Sequence, residues 1–224
     1  MHTSLVVDRA HSRVFEFAVA LAAANRVFTL HQLARHPDVS WRSQPVKRAS
    51  EMLRPYAPSF DRTPGAFGEP FIFRLSALER RKRGIKQRPI SARTQHIHHW
   101  LALGDVWMTL TFAGGRPLVW IPEPKDSAGF DVFFVWSRVA YLAEVQRWPI
   151  QTKQWKEKWR TRMEWYAQGG WRKAPWQRSD RLVKPTAVLI DLTAQQSSTI
   201  MLPDGMVYVR GLDGLTSRLA RGKM

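Results

Sequence analysis

The stretch Phe130 to Arg147, FDVFFVWSRVAYLAEVQR, constrains this chain more than any other. Two apolar runs are separated by Ser-Arg, so the stretch reads as a hairpin of two largely buried strands. Such a pair needs a core on its faces, and the flanking sequence provides one. HIHHWLALGDVWMTL reads as a mostly buried helix, PLVWIPE as a short strand, and PIQTKQWKEKWRTRMEWYAQ as a long helix. PTAVLIDLT is a fully apolar strand, and MVYVRGL reads as another. The order is α, three β, α, β, which fits a sheet flanked by helices. On the long helix, Trp155, Trp159, Met163 and Tyr166 are expected to form the apolar stripe, with Lys156, Lys158, Arg160 and Arg162 on the flanks.

The first part of the chain reads differently. HSRVFEFAVALAAANRV is helical by the spacing of Val14, Phe17, Ala18, Leu21 and Ala22. Thr29 suits the N-cap of a short second helix ended by Pro37. Ser40 or Ser43 is expected to cap a third, with Pro45 in its first turn and Pro55 at its end. Val46, Ala49, Met52 and Leu53 make that helix's buried stripe. FDRTPGAFGEPFIFRLS then reads as a β-hairpin with a turn-rich tip. Three helices followed by a hairpin is the order of a winged helix-turn-helix, whose third helix enters the DNA major groove. Another small helical domain with a hairpin has the same order.

Charge points the same way. Lys and Arg total 35 against 18 Asp and Glu, a net +17 over 224 residues. Residues 1–92 carry 16 basic and 7 acidic side chains, so the excess is shared by both parts of the chain. A surface this positive favours polyanions, nucleic acid first. On or beside the other face of the third helix, Arg42, Lys47, Arg48 and Arg54 are the expected DNA contacts. In the charge run ERRKRGIKQR, Arg81, Lys82 and Arg83 are further candidates for phosphate contact, or belong to a solvated linker. The absence of Cys removes disulfides and thiolate metal sites. No run of the sequence is apolar and long enough to span a membrane. A cytoplasmic chain is therefore expected, with double-stranded DNA as its partner and no membrane. The expected domains are 1–92, with the basic linker, and 93–224.

The acids in the second part carry the chemistry. Asp131 opens one strand of the hairpin, Glu144 lies inside the next, and Gln146 follows two residues later. The period of a strand is two, so Glu144 and Gln146 share a face. An αβββαβ core with an acid at the second strand and Glu-x-Lys or Glu-x-Gln on the third is that of restriction-endonuclease-like folds. There Asp131, Glu144 and Glu123 would hold Mg²⁺ or Mn²⁺, a cation that takes oxygen ligands and lowers the pKa of a bound water. Gln146 would orient that water, the Val145 carbonyl would add a ligand, and Lys158 or Lys156 would face phosphate. Asp105 is a further candidate acid. The alternative is structural: Asp131 caps a turn after Gly129, and Glu144 pairs with an Arg, as buried charges do. His96, His98 and His99 lack the spacing of a zinc site and read as the polar start of a helix. His31 and His36 read as surface residues.

HHWLALGDVWMTL, the strand ending in Glu123, FDVFFVW, AYLAEVQRWPIQTKQWKEKW and PTAVLIDLT together resemble the plasmid replication-relaxation family. The matching positions are His99 to Val106, Asp131, Glu144 to Gln146 and Lys158 to Tyr166. Phe130 stands where the family has Pro, and Val132 where it has a small residue. The resemblance covers roughly residues 10–195. It implies an N-terminal winged helix, a PD-(D/E)xK nuclease-like second domain, and DNA binding in plasmid, phage or mobile-element replication or maintenance. Two functions are consistent with it. One is a DNA-binding protein with a metal-dependent deoxyribonuclease domain. The other is a non-enzymatic transcription or copy-number regulator whose second domain forms a homodimer or binds replication proteins. A basic structural protein that binds DNA by charge alone is a third reading, disfavoured by the ordered αβββαβ pattern.

Overall fold

The computed structural model describes residues 2–65, 70–86, 96–149, 151–178, 181–193 and 206–221, with residues 2–8, 152 and 221 described by backbone alone. It is a mixed α/β protein of two compact units, 1–105 and 106–224. The division falls inside one helix, whereas the boundary expected near residue 92 lies outside the described residues. Among the described residues no helix is long and apolar enough to cross a membrane.

The first unit opens with α1, His2–Asn25. It starts well before the expected His11, because nothing between His2 and Ala10 breaks a helix. It stops at Arg26, whose φ of 66° is left-handed. Strand β1, Phe28–Thr29, follows. Thr29 then caps α2, Leu30–Leu33, with a reciprocal pair of bonds. Its hydroxyl accepts the Gln32 N–H at 3.2 Å, and the Gln32 side chain accepts the Thr29 N–H at 3.1 Å. Pro37 does not simply end this helix. It opens another, α3, Pro37–Ser40, capped by the half-buried imidazole of His36, because proline suits a first helical turn.

Helix α4 runs Pro45–Leu53. Neither Ser40 nor Ser43 caps it. Gln44 holds that position without a side-chain bond, since Ser40 is used in α3 and Pro45 already fixes the entry backbone. Ala49, Met52 and Leu53 are buried as expected, and Val46 is half-buried. A 3₁₀ turn at Arg54–Ser59 leads to β2, Phe60–Thr63, which pairs antiparallel with β3, Ile72–Leu75. The hairpin tip at 66–69 lies outside the described residues. β3 also pairs with β1, giving the sheet order β1-β3-β2.

Part of the charge run is a helix, α5, Ala77–Lys82, capped by Ser76. The buried carboxylate of Glu79 explains it. It accepts bonds from Ser59 and from Arg83, and Arg83 also reaches Glu16 on α1 with two bonds of 2.8 Å.

Helix α6, Ile97–Gly114, closes the first unit and opens the second. The second unit continues with β4 (Val119–Pro122), β5 (Val132–Trp136), β6 (Val139–Gln146), α7 (Thr152–Ala167), β7 (Thr186–Asp191), β8 (Val207–Arg210) and α8 (Leu215–Arg221). The five strands lie in chain order; β4, β5 and β6 are antiparallel, and β6, β7 and β8 are parallel. Helix α8 was not anticipated. It buries Leu215 and Leu219, and the Leu219 carbonyl accepts the hydroxyl of buried Tyr141 at 3.1 Å.

Each face of the sheet has its own cover. Phe133, Ala140, Leu142, Ala187 and Leu189 pack with Trp155 and Trp159 of α7. On the opposite face Trp136 donates its indole N–H to the Leu110 carbonyl of α6 at 3.2 Å.

Candidate functional site

The tight β5–β6 turn decides which residues meet. Trp136 pairs with Val139, and Ser137 and Arg138 between them are both left-handed, at φ 49° and 67°. Two left-handed residues make the twisted turn that suits a two-residue hairpin. The register runs back to Val132 opposite Ala143. There the Asp131 N–H also donates to the Ala143 carbonyl, at 2.9 Å, so Asp131 sits at the end of the pairing, beside Glu144. Glu144 lies on the face of Ala140 and Leu142, the face covered by α7.

Glu144 is about 2% exposed. Two cations from α7 reach its carboxylate. Lys158 Nζ bonds Oε1, and Arg162 Nη2 lies 2.8 Å from Oε2. Lys158 is one-third exposed, whereas Arg162 is as buried as Glu144. The sequence places Arg162 on a flank of the apolar stripe of α7. That is corrected here: Arg162 follows Trp155 and Trp159 along the buried stripe, and Met163 is only half-buried. The stripe accepts an arginine there because the facing strand presents a carboxylate in place of another apolar side chain. Arg162 also donates to the carbonyls of Ala128, from Nε at 3.3 Å, and Gly129, from Nη2. Its guanidinium carbon lies 5.2 Å from the ring centres of both Phe130 and Trp159.

Asp131 is half-buried and accepts the Val145 N–H at 2.7 Å through Oδ2. Burial, then the neighbouring charge of Glu144, push its carboxyl well above the usual range; the Val145 N–H and the charge of Lys158 pull the other way and do not prevail. A neutral Asp131 can donate a hydrogen bond to Glu144. Asp131, Glu144 and Lys158 are thus brought together.

Glu123 is not brought into that group. It stands opposite Asp131, and its N–H donates to the Asp131 carbonyl at 2.7 Å. However, its backbone is left-handed, with φ 47°, which breaks the pleat, and its side chain is exposed. Gln146 shares the face of Glu144 but donates its amide to the Trp148 carbonyl. Lys156 is exposed. Asp105 is engaged in the first unit, where it accepts from Gln32 at 3.2 Å and Arg35 at 2.9 Å.

One acid escaped sequence reasoning. Asp191, the last residue of β7, is about 3% exposed and pairs in register with Gln146. It accepts bonds from the Thr193 N–H and hydroxyl and from the Tyr208 hydroxyl, at 2.7 to 2.9 Å. Burial, then the bond to Asp191, raise the Tyr208 hydroxyl pKa. Its signal was its place at the end of an apolar strand, at the carboxyl edge of the parallel strands.

As arranged, these residues do not fit a divalent cation. Both oxygens of Glu144 face cations, and Glu123 is exposed on a left-handed backbone. Among the described residues no group of three His, Cys, Asp or Glu side chains could hold a metal ion, and that includes His96, His98 and His99.

The basic residues of the first unit divide by engagement. Arg42, Lys47 and Arg54 are exposed, as are Arg81 and Lys82 on α5. Arg48 pairs with Glu51 at 3.4 Å, and Arg83 is held by Glu16 and Glu79. Arg54 and Arg62 line one groove with Leu30, Leu53 and Phe73, so Arg62 on the hairpin joins the basic surface of α4. Trp41 is 65% exposed, with the Arg42 guanidinium 3.3 Å from its ring centre. No protein-family model matches the chain, and no curated protein or solved structure matches it.

Proposed function

We propose that the protein binds double-stranded DNA through its first unit, acting as a winged helix-turn-helix, and that its second unit is a nuclease-type fold used without cleavage. The observation that carries the DNA-binding reading is the order α1, β1, α2, α3, α4, β2, β3, with Arg42, Lys47 and Arg54 exposed at and along α4. In that arrangement α4 is the helix that enters the major groove, and its cations meet phosphates. The αβββαβ succession of the second unit supports a PD-(D/E)xK-like scaffold. The pairing of Glu144 with a buried arginine favours a structural use of it, as in a replication-associated or copy-number regulator of a plasmid, phage or mobile element. Homodimer formation and contact with replication proteins are the roles this leaves to the second unit.

A second reading, a Mg²⁺- or Mn²⁺-dependent deoxyribonuclease, is favoured by the meeting of Asp131, Glu144 and Lys158. Incubation of supercoiled plasmid with wild type and Glu144→Gln, in Mg²⁺, Mn²⁺ or EDTA, separates the two. Retarded but intact DNA, equal for both proteins, is the expected result. Nicking that needs metal and is lost in the variant establishes the nuclease instead. Absence of retardation at low salt refutes the DNA-binding reading.

A further inference from the structure

We infer that Arg162 is a resident cation that occupies the acidic pair of the second unit and keeps divalent ions out of it. This deepens the non-cleaving reading of that unit and rests on it, but it concerns metal rather than DNA.

The geometry carries the inference in three steps. First, a nuclease-type acidic pair is two carboxylates whose charge calls for a cation. Asp131 and Glu144 form such a pair, because the Asp131 carboxylate accepts the N–H of Val145, next to Glu144, at 2.7 Å, and the guanidinium lies 2.8 Å from Glu144. Second, that guanidinium is not a passing surface contact. Its side chain is about 4% exposed, Phe130 and Trp159 wall it in, and Nε and Nη2 are fixed by the Ala128 and Gly129 carbonyls. Its Nη1 is buried with no hydrogen-bond partner, so attraction to Glu144 is a principal compensation for burying the charge.

Third, Arg162 shapes the chain segment that leads into Asp131. Asp126, Ala128 and Gly129 are all left-handed, at φ 54°, 53° and 79°, a costly backbone for the two that are not glycine. The bonds from Arg162 hold this segment at the same point where they meet Glu144. One side chain therefore supplies both a positive charge to the buried Glu144 carboxylate and the order of the adjoining loop. With Lys158 bonded to Oε1 and the guanidinium 2.8 Å from Oε2, each oxygen of Glu144 already has a cation beside it.

Manganese ion is the probe, because it is read directly by electron paramagnetic resonance and its binding raises Tm. Four full-length proteins are compared: wild type, Arg162→Met, Glu144→Gln, and the double variant. Wild type is expected to show no Mn²⁺ binding that depends on Glu144 and no Mn²⁺-dependent change in Tm. Arg162→Met is expected to have a lower Tm and to gain one bound Mn²⁺. At about 100 times the Kd, that ion raises its Tm by roughly 5–10 °C. The double variant is expected to lose this gain.

A single Mn²⁺ bound by wild type and lost in Glu144→Gln overturns the inference. An Arg162→Met protein that gains no Mn²⁺ does so as well. So does one that fails to fold even in Mn²⁺, because the metal is expected to take the guanidinium's place. Plasmid retardation by the same proteins reports separately on the DNA-binding reading.

Discussion

The guanidinium of Arg162 and the carboxylate of Glu144 meet at 2.8 Å, with each side chain about 3–4% exposed. Two charges removed from water to this degree stabilise each other only as a pair. Removing either one leaves the other behind. Arg162→Met and Glu144→Gln are each expected to cost about 3–5 kcal/mol of stability in the second unit. The two costs should not add: the double variant should lie well below their sum, because the second change removes the stranded charge left by the first. Urea denaturation of the four corners of the cycle measures this. Strict additivity would mean that the contact contributes nothing to folding.

Asp131 gives a pH signature. Its carboxyl is raised in the folded protein, chiefly by burial and by Glu144. An unfolded Asp titrates near ~3.9. Between that value and the raised folded value, the folded protein holds a proton that the unfolded chain has released. Stability should therefore be fullest below about pH 4 with respect to this group, and fall as pH rises through the folded pKa. Asp131→Asn, which keeps a neutral side chain at every pH, should flatten that fall. Urea midpoints for both proteins at intervals from pH 4 to 8 decide the matter. Equal slopes in the two proteins would show that Asp131 is ionised in the folded state throughout.

How the acids were found in the sequence, and how the arginine was missed, has a physical basis. Alternating apolar runs and turn residues reveal strands, and a two-residue turn fixes register. The meeting of Asp131 and Glu144 was accordingly legible. Arg162 was not, because positions 162 and 163 lie nearly equally close to the stripe set by Trp155 and Trp159. The usual preference for exposed arginine assigned the buried place to Met163. Only the partner strand, which presents Glu144 under α7, reverses that preference. Glu123 failed for the converse reason. Its row was right, but a left-handed backbone is not readable from a glutamate followed by proline. The two-residue β1 was too short to register. Helix α5 was hidden by its charges, although Ser76 with Glu79 three residues on is a capping signal.

The turn into α2 offers a test within the first unit. Thr29 and Gln32 cap one another, and the amide of Gln32 donates to the Leu101 carbonyl at 2.8 Å. Thr29→Ala removes the hydroxyl acceptor and is expected to cost about 1 kcal/mol. Thr29→Ser keeps the acceptor and should cost less. Thermal melts compare the two. Equal losses would assign the effect of Thr29 to its methyl group rather than to the cap.

Arg54 and Arg83 are both basic, both in the first unit, and are expected to behave in opposite ways. Arg54 is exposed at the end of α4 and lines a groove with Arg62. Arg83 has its nitrogens committed to Glu16 and Glu79. A cation that neutralises a DNA phosphate releases a counterion, so its loss weakens binding and lowers the salt slope by about 1. Arg54→Ala, and likewise Lys47→Ala, should do this without moving Tm. Arg83→Ala should lower Tm, because it takes the cation from the buried carboxylate of Glu79, and leave the salt slope unchanged. Retardation of a short duplex at several salt concentrations, alongside melts of the free proteins, reads both effects. A full slope with Arg54→Ala and a reduced one with Arg83→Ala would place the DNA on the α1–α5 face instead of on α4.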